Sequence, residues 1–189
     1  MKKICIVGSP STGKTTLAKS LVKKLNQKNY QTRLVSEYAR SFIIQYGPPK
    51  DIKDQLNIVI GQIEIEKRVE RKNPDFIICD SASYLTYVYS KLYKPKSTDY
   101  LANKRYFLIQ KRITEIVEPE ISSYNLHFFL PIEFDFKDDG VRIFKQLTYK
   151  ISKEVKQLLE QKKINYYLIT GTVEERTQKA LDIILSQYK

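Results

Sequence analysis

The feature that most constrains this chain is a glycine-containing motif between a short apolar run and an amphipathic segment. The motif has the pattern G-x-x-x-x-G-K-T and consists of Gly8, Ser9, Pro10, Ser11, Thr12, Gly13, Lys14 and Thr15. The apolar run before it, residues 4–7, suits a buried strand, and Leu17, Leu21 and Leu25 after it recur at helical spacing. A strand, a tight turn and a helix in this order predict a loop whose backbone N–H groups surround a phosphate.

Three kinds of group in this loop are suited to a nucleoside triphosphate. The backbone N–H groups of residues 10–16 would point at a β-phosphate, Lys14 would reach the β- and γ-oxygens, and the Thr15 hydroxyl would bind Mg²⁺. We therefore expect ATP and Mg²⁺ as ligands. The expected binding residues are Gly8, Ser11, Thr12, Gly13, Lys14, Thr15 and Thr16. The alternative is a chance match in a glycine-containing turn, which the flanking strand and helix disfavour.

Apolar runs and amphipathic segments alternate along the rest of the chain. The strand-like runs are residues 4–7, 32–36, 76–79, 126–130 and 166–169, and helical periodicity marks residues 54–71, 100–117, 144–162 and the segment from 172 onward. This alternation predicts an α/β fold of three layers, in which a five-stranded parallel sheet carries helices on both faces, as in P-loop kinases and NTPases. We expect one domain over residues 1–189, with a small lid at about 132–143.

The helical periodicity also predicts which apolar side chains share a helix face. Residues 54–71 place on one face Leu56, Val59, Ile60 and Ile63. Residues 100–117 place largely on one side Phe107, Ile109, Ile113, Ile116 and Val117. Both sets follow from apolar residues that recur every three or four positions.

Charge and composition narrow the range of functions. The net charge of +12 attracts polyanions, but the lysines are scattered along helices, so we favour small anionic substrates over a nucleic-acid partner. No apolar stretch approaches the ~20 residues of a membrane span, and the first apolar run is too short for a signal peptide. We therefore expect a cytoplasmic protein without a membrane partner. The only histidine, His127, and the two cysteines, Cys5 and Cys79, lie in apolar runs, which argues against a zinc site.

Polar residues that follow the apolar runs are candidates for chemistry, because parallel sheets bind ligands at the carboxyl ends of their strands. Asp80 ends the third run and would hold Mg²⁺ together with Thr15; the alternative is a cap on the next helix. Glu37 follows the second run and would accept the proton of an attacking hydroxyl, and Arg40 would hold a polar or anionic substrate. The alternative for these two is a surface ion pair at the start of a helix.

Two later segments complete the candidate site. Asp138-Asp139-Gly140-Val141-Arg142 is typical of a loop that closes over a γ-phosphate, with Arg142 neutralising charge there; a plain connection between strand and helix is the alternative. Thr170-Gly171-Thr172 follows the last run, and its backbone around Gly171 would meet the adenine base. Thr172 and Glu175 also have the spacing of a helix capping box, which accounts for both without a ligand.

The ordered motifs resemble one family. They are G-S-P-S-T-G-K-T-T-L, S-E-Y-A-R, I-I-C-D-S, D-D-G-V-R and T-G-T-V-E-E-R, and with the helix around Gly61-Gln62 and Glu66 they extend from residue 4 to about 185. The chain is similar to the nicotinamide-riboside-kinase-like AAA family of P-loop proteins, which includes the kinase domain of bacterial NAD biosynthesis regulators. The resemblance implies ATP-dependent phosphorylation of the 5′-hydroxyl of a nucleoside.

The resemblance also implies residue roles. Gly13, Lys14 and Thr15 would bind phosphates and Mg²⁺, Glu37 and Arg40 would lie at the acceptor, Asp80 at the metal and Arg142 in the lid. The chain departs from the family where members often read D-T-D, because it has Asp80-Ser81-Ala82.

Two other functions fit the sequence. One is a nucleotide-switched ATPase that binds nucleic acid or a protein partner. The other is a nucleoside-monophosphate kinase, in which Arg40, Lys104 or Arg105 would hold the acceptor phosphate.

Overall fold

Five parallel strands form one sheet with β1 at its centre. The strands are β1 (Lys2–Val7), β2 (Thr32–Val35), β3 (Phe76–Cys79), β4 (Leu126–Phe129) and β5 (Tyr167–Leu168), and their order is β2-β3-β1-β4-β5. The computed structural model describes residues 1–96, 98–133 and 145–188, the side chains of residues 145 and 146 excepted. Every strand pair is parallel. The predicted fold class is confirmed.

Helices connect the strands and cover both faces of the sheet. They are α1 (Lys14–Gln27), α2 (Tyr38–Tyr46), α3 (Ile52–Glu70), α4 (Leu85–Ser90), α5 (Tyr100–Ile121), α6 (Lys145–Gln161) and α7 (Val173–Gln187), with a short 3₁₀ turn at Lys91–Tyr93. Helices α1 and α7 pack on one face, while α3, α4, α5 and α6 pack on the other. Within the described ranges, none of these helices combines the length and apolar character that a membrane span requires.

The two faces follow from side-chain alternation along β1. Ile4 and Ile6 point into the layer with α1 and α7, and Cys5 and Val7 point into the layer with α3 to α6. All four side chains are fully buried, as expected for a central strand covered on both sides. Burial of each apolar side chain of this size contributes about 1.5–3 kcal/mol.

Two residues of the predicted apolar faces are exposed. Ile60 of α3 is 41% exposed and Phe107 of α5 is 55% exposed. In α3 the buried face also includes the polar residues Gln55, Gln62 and Glu66, which recur at helical spacing with Val59. The apolar face and the buried face of α3 therefore overlap only in part.

The topology brings the ends of β1, β2 and β3 together. From β1 the chain crosses to β2 at one edge of the sheet and then returns to β3, which lies between β2 and β1. It then crosses to β4 on the other side of β1 and ends the sheet with β5. The N–H of Asp80 donates to the carbonyl of Val35 at 2.9 Å, and the N–H of Leu130 donates to the carbonyl of Val7 at 2.9 Å. The segments that follow these strands thus leave the sheet at one common edge.

Candidate active site

The loop between β1 and α1 has a backbone that only glycine tolerates at its two ends. Gly8 has φ +151°, and a Cβ there would lie 2.5 Å from the carbonyl oxygen of Leu130. Gly13 is the N-cap of α1 and has φ +90°, in the left-handed region. These two positions produce the tight turn that the sequence predicts between strand and helix.

The start of α1 is suited to an anion. The first turn of α1 has no acidic residue, and its backbone N–H groups have no partner within the helix. Lys14, which is 6% exposed, donates from Nζ to the carbonyl of Ser9 at 2.7 Å, and Thr12 Oγ1 donates to the same carbonyl at 2.9 Å. The cation of Lys14 is therefore held against the loop at the positive end of the helix dipole.

Thr15 and Asp80 lie in direct contact. Thr15 Oγ1 donates to Asp80 Oδ2 at 2.6 Å, although 65 residues separate them. Helix α4 begins at Leu85 with Tyr84 as its N-cap and has no side-chain cap, so Asp80 does not cap that helix. The side chain of Asp80 is instead directed towards the phosphate loop.

The oxygens of Thr15 and Asp80 fit a magnesium ion. A hydroxyl and a carboxylate are oxygen donors of the kind that Mg²⁺ prefers, and Mg²⁺ in proteins is often held by one or two carboxylates with nucleotide oxygens and water. In the described part of the chain there is no group of three or more His, Cys, Asp or Glu that could hold a metal by itself. A magnesium ion at Thr15 and Asp80 would therefore take its other ligands from the nucleotide and from water.

Glu37 and Arg40 lie at the first turn of α2. Glu37 is the N-cap of this helix, and its side chain makes no capping hydrogen bond. Both residues are partly buried. Glu37 borders a recess that also reaches Pro10 of the phosphate loop and Ser81 after β3, whereas Arg40 is not part of its wall. The structure thus brings Glu37 close to the segments after β1 and β3, and places Arg40 in the first turn of α2 but outside the described wall of the recess.

The recess beside Glu37 has the lining of a small-molecule site. Its cavity volume is about 120 Å³, which is smaller than the roughly 300–1,000 Å³ of ligand pockets, and its mouth is open to solvent. Most of the wall is apolar. Its apolar side chains include Ile43, Ile58, Leu85, Leu92, Leu147 and Ile151. Glu37 is the only carboxylate among the described residues of the wall, and no lysine or arginine is among them.

Ala82 lies in the wall of the recess, at the position where the sequence resemblance implies a second acid. It is 2% exposed and lies near Leu85 and Thr86 in the lining. With alanine at this position, this part of the recess is apolar. Glu37 is then the one carboxylate among the described residues of the wall.

Arg176 links the phosphate loop to the last helix, a role that its place in the sequence does not indicate. The residue is 3% exposed, and its guanidinium donates from Nη1 to the carbonyl of Thr12 at 2.6 Å and forms an ion pair with Glu133. Glu133 also accepts from the N–H of Gly171 at 3.0 Å. One signal was available, because Arg176 stands four residues before Ala180 on the buried face of α7.

The remaining predicted residues differ in how the structure places them. Ser11, Thr15 and Thr16 are exposed on the loop or the first turn of α1. Thr172 and Glu175 form the predicted capping box at the start of α7. Arg142, Asp138 and Asp139 lie outside the described residues, as does most of the predicted lid.

A buried polar network lies behind the recess. Gln62 Nε2 donates to Glu66 Oε1 at 2.8 Å, Lys3 Nζ lies 2.7 Å from Glu66 Oε2, and the Tyr124 hydroxyl donates to both carboxylate oxygens at 3.0 and 2.9 Å. Burial by itself lowers the pKa of Lys3, but the attraction and hydrogen bond of Glu66 together with the hydrogen bond to Glu70 outweigh it, so the pKa of Lys3 is raised above its ordinary value. Lys3 is therefore protonated at neutral pH.

Comparisons with known proteins agree with this geometry. The sequence profile of the AAA domain family matches residues 3–176. No curated protein sequence is a significant match to the chain. Among solved structures, a crystal structure of NadR protein in complex with NR superposes with a TM-score of 0.72 at 20% identity, over 98% of this chain and 49% of that chain. The present chain thus spans about half the length of that NadR chain.

Two further structures match this chain over nearly the full length of both chains. A deoxyadenosine kinase from M. mycoides, with products dCMP and dCDP bound, has a TM-score of 0.62 at 14% identity over 98% of this chain and 97% of that chain. A thymidylate kinase from Ehrlichia chaffeensis has a TM-score of 0.66 at 14% identity over 97% of this chain and 98% of that chain. At these sequence identities the three comparisons show a shared fold and nothing beyond it. The profile match covers most of the chain, and on that evidence the chain belongs to the AAA domain family of P-loop proteins.

Proposed function

We propose that this chain is an ATP-dependent kinase that phosphorylates the 5′-hydroxyl of a nucleoside, with nicotinamide riboside as the first acceptor to test. The observation that carries the proposal is the position of the recess. Its wall includes Pro10 of the phosphate loop, Glu37 at the start of α2 and Ser81 after β3. An acceptor in the recess would therefore lie beside both the phosphate loop and a carboxylate.

In the proposed reaction the acceptor hydroxyl attacks the γ-phosphorus of ATP in line with the leaving ADP oxygen. A bond forms between the hydroxyl oxygen and phosphorus, the bond from phosphorus to ADP breaks, and the hydroxyl proton passes to Glu37. Lys14 and the N-terminal N–H groups of α1 stabilise the charge on the phosphates. Thr15 and Asp80 would hold Mg²⁺, which when bound neutralises charge on the β- and γ-phosphates. Arg40 keeps its predicted role in acceptor binding, but it lies outside the described wall, so it would hold a part of the acceptor that extends beyond the recess.

The chemistry of the recess favours a nucleoside over a nucleoside monophosphate as the acceptor. Phosphate binding in proteins relies on Arg, Lys or clustered backbone N–H groups. The described wall has neither lysine nor arginine, and its carboxylate would repel a second phosphate. The wall includes Tyr89 and Tyr93, whose rings suit a planar base. The pyridinium ring of nicotinamide riboside carries a positive charge and would be attracted to these rings and to Glu37.

The backbone around Gly171 is proposed as the contact for the adenine base. Gly171 and Thr172 lie at the end of β5, and Glu133 and Arg176 connect this turn to Thr12 in the phosphate loop. Because these contacts hold the turn beside the phosphate loop, we infer that one nucleotide would place its base at the turn and its phosphates at the loop. A shallow depression formed by Thr170, Gly171 and Glu175 offers the space.

The test is a screen of ATP consumption against nucleosides, nicotinamide riboside included, and the corresponding monophosphates, with mass spectrometry of the product. We expect turnover with at least one nucleoside, a gain of one phosphate in the product, and no turnover in Lys14→Ala. Turnover with monophosphates alone would contradict the nucleoside assignment. No turnover with any acceptor, together with steeply salt-dependent binding to random single-stranded RNA, would favour the nucleotide-switched binding protein.

A further inference from the structure

The first turn of α2 is held by a side chain from α3. The N–H of Tyr38 is one of the donors at a helix start that have no partner within the helix, and it donates to Gln62 Oε1 at 2.8 Å. Glu37, the N-cap residue, makes no capping hydrogen bond with its side chain. The Gln62 side chain of α3 therefore accepts from a backbone N–H at the N-terminus of α2. The side chain of Glu37, the residue before it, borders the recess.

The amide of Gln62 has one favourable orientation because of Glu66. Gln62 Nε2 donates to Glu66 Oε1 at 2.8 Å and the Tyr124 hydroxyl donates to the same oxygen at 3.0 Å, so this oxygen acts as an acceptor. Gln62 and Glu66 are 4% and 1% exposed, which leaves little access for water. A flipped amide would set its oxygen against Glu66 and its NH₂ group against the Tyr38 N–H, so both hydrogen bonds would be lost.

Gly61 makes room for the ring of the same tyrosine. A Cβ at position 61 would lie 2.2 Å from Cε1 of Tyr38, so any other residue would displace the ring. Glycine within a helix is destabilising relative to alanine, so its presence in the interior of α3 calls for a reason, and the ring of Tyr38 is that reason. Two consecutive residues of α3 thus fix Tyr38, one through its ring and the other through its N–H.

We propose that Gln62 is a positioning residue for phosphoryl transfer, which sets the direction of the Glu37 carboxylate through Tyr38 and is itself oriented by Glu66. The inference rests on the proposed function, in which Glu37 accepts the proton of the acceptor hydroxyl. Glu37 and Tyr38 are adjacent in the chain, so fixing Tyr38 fixes the start of the helix that carries Glu37. A displacement of about 1 Å in a catalytic group can lower the rate about 100-fold.

The buried lysine provides a matched pair of variants. Lys3 Nζ lies 2.7 Å from Glu66 and 2.8 Å from Glu70, and Glu66 is the one of these two acids that contacts Gln62. Glu66→Gln removes one ion pair of Lys3 and lets the Gln62 amide turn, whereas Glu70→Gln removes the other ion pair alone. We expect Glu66→Gln to lower kcat at least tenfold with the KM for ATP unchanged within twofold, and Glu70→Gln to retain kcat within twofold. Equal losses of kcat in the two variants would overturn the inference.

A double-variant cycle tests the ring contact. Gly61→Ala should lower kcat because the new methyl group displaces the Tyr38 ring. In a Tyr38→Ala background the ring is absent, so adding Gly61→Ala should change kcat by less than twofold. Losses that multiply in the double variant would mean that Gly61 acts on something other than Tyr38, and would contradict the proposal.

Hydrogen exchange at the Tyr38 amide gives an answer that needs no acceptor. We expect faster exchange at this amide in Gln62→Leu and Glu66→Gln, and an unchanged rate in Glu70→Gln. If the wild-type chain phosphorylates no nucleoside, the proposed function fails, and the exchange rates still decide whether Gln62 holds Tyr38. An unchanged rate in Gln62→Leu would overturn the inference whatever the activity.

Discussion

Acid should destabilise this protein through its only histidine. His127 in β4 is 7% exposed, and its Nδ1 lies 2.9 Å from the Tyr84 hydroxyl and 3.2 Å from Cys5 Sγ. Burial lowers the pKa of His127 to about 4, from an ordinary value of 6.5. Between these two pH values the unfolded chain binds the proton and the folded chain does not, so stability falls as the pH decreases through this window.

The size of the effect follows from the two pKa values. At pH 5 the unfolded histidine is almost fully protonated and the folded one is almost fully neutral, which costs about 2 kcal/mol of unfolding free energy relative to pH 7.5. Below pH 4 the loss reaches its full value of about 3 kcal/mol, since each pKa unit corresponds to about 1.4 kcal/mol. This is a large fraction of the total stability of an ordinary domain.

Urea unfolding of the wild type and of His127→Gln, at pH values from 7.5 to 5, isolates this contribution. Carboxylates titrate in both proteins, so their effects cancel in the difference. We expect the stability advantage of the wild type over the variant to shrink by about 2 kcal/mol across this range. His127→Phe, which also lacks a titrating group, should follow the same curve as His127→Gln. A constant difference between wild type and variants would show that the pKa of His127 is not depressed in the folded state.

Three further predictions concern the site and the network behind it. Asp80→Asn should lower kcat at least 100-fold, because a metal ligand is lost. The free energy of unfolding measured with urea should change by less than about 1 kcal/mol, because the hydrogen bond from Thr15 can still form. Comparable losses of activity and stability would favour a structural role. Arg176→Met should raise the KM for ATP at least fivefold with kcat nearly unchanged, because the carbonyl of Thr12 loses its donor and the phosphate loop shifts; an unchanged KM would refute the link. Lys3→Met should lower the unfolding free energy by about 3–5 kcal/mol, because it leaves Glu66 buried without its cation, and thermal or urea unfolding that stays within about 1 kcal/mol of the wild type would contradict this.

The parts of the fold that the sequence predicted are those with local patterns. The strand, turn and helix around Gly8 and Gly13 are specified by consecutive residues, and the φ values of both glycines agree with that prediction. The proximity of Thr15 and Asp80 followed from a general rule, because parallel strands bring their carboxyl ends to one edge of the sheet. Local pattern and topology together were enough to bring these two side chains into one site.

The contacts of Arg176 and Glu133 could not be predicted in the same way. Arg176 reaches Thr12 across 164 residues, and the contact depends on how α7 packs beside α1. Periodicity can show that Arg176 belongs to the buried face of its helix, but not which carbonyl it meets there. Pairing of side chains on different helices depends on the rotation and spacing of the helices, which no single segment encodes.

The buried face of α3 differs from its apolar face in a way that bears on the site itself. Ile60 belongs to the apolar periodicity but is exposed, whereas the polar residues Gln55, Gln62 and Glu66 are buried. A buried carboxylate and its lysine stabilise a fold little more than apolar residues of the same volume would, because desolvation offsets most of their attraction. The Lys3 and Glu66 pair is therefore better explained by what it orients than by the stability it adds. Its contact with Gln62, and through Gln62 with the residue next to Glu37, gives it a structural reason to be where it is.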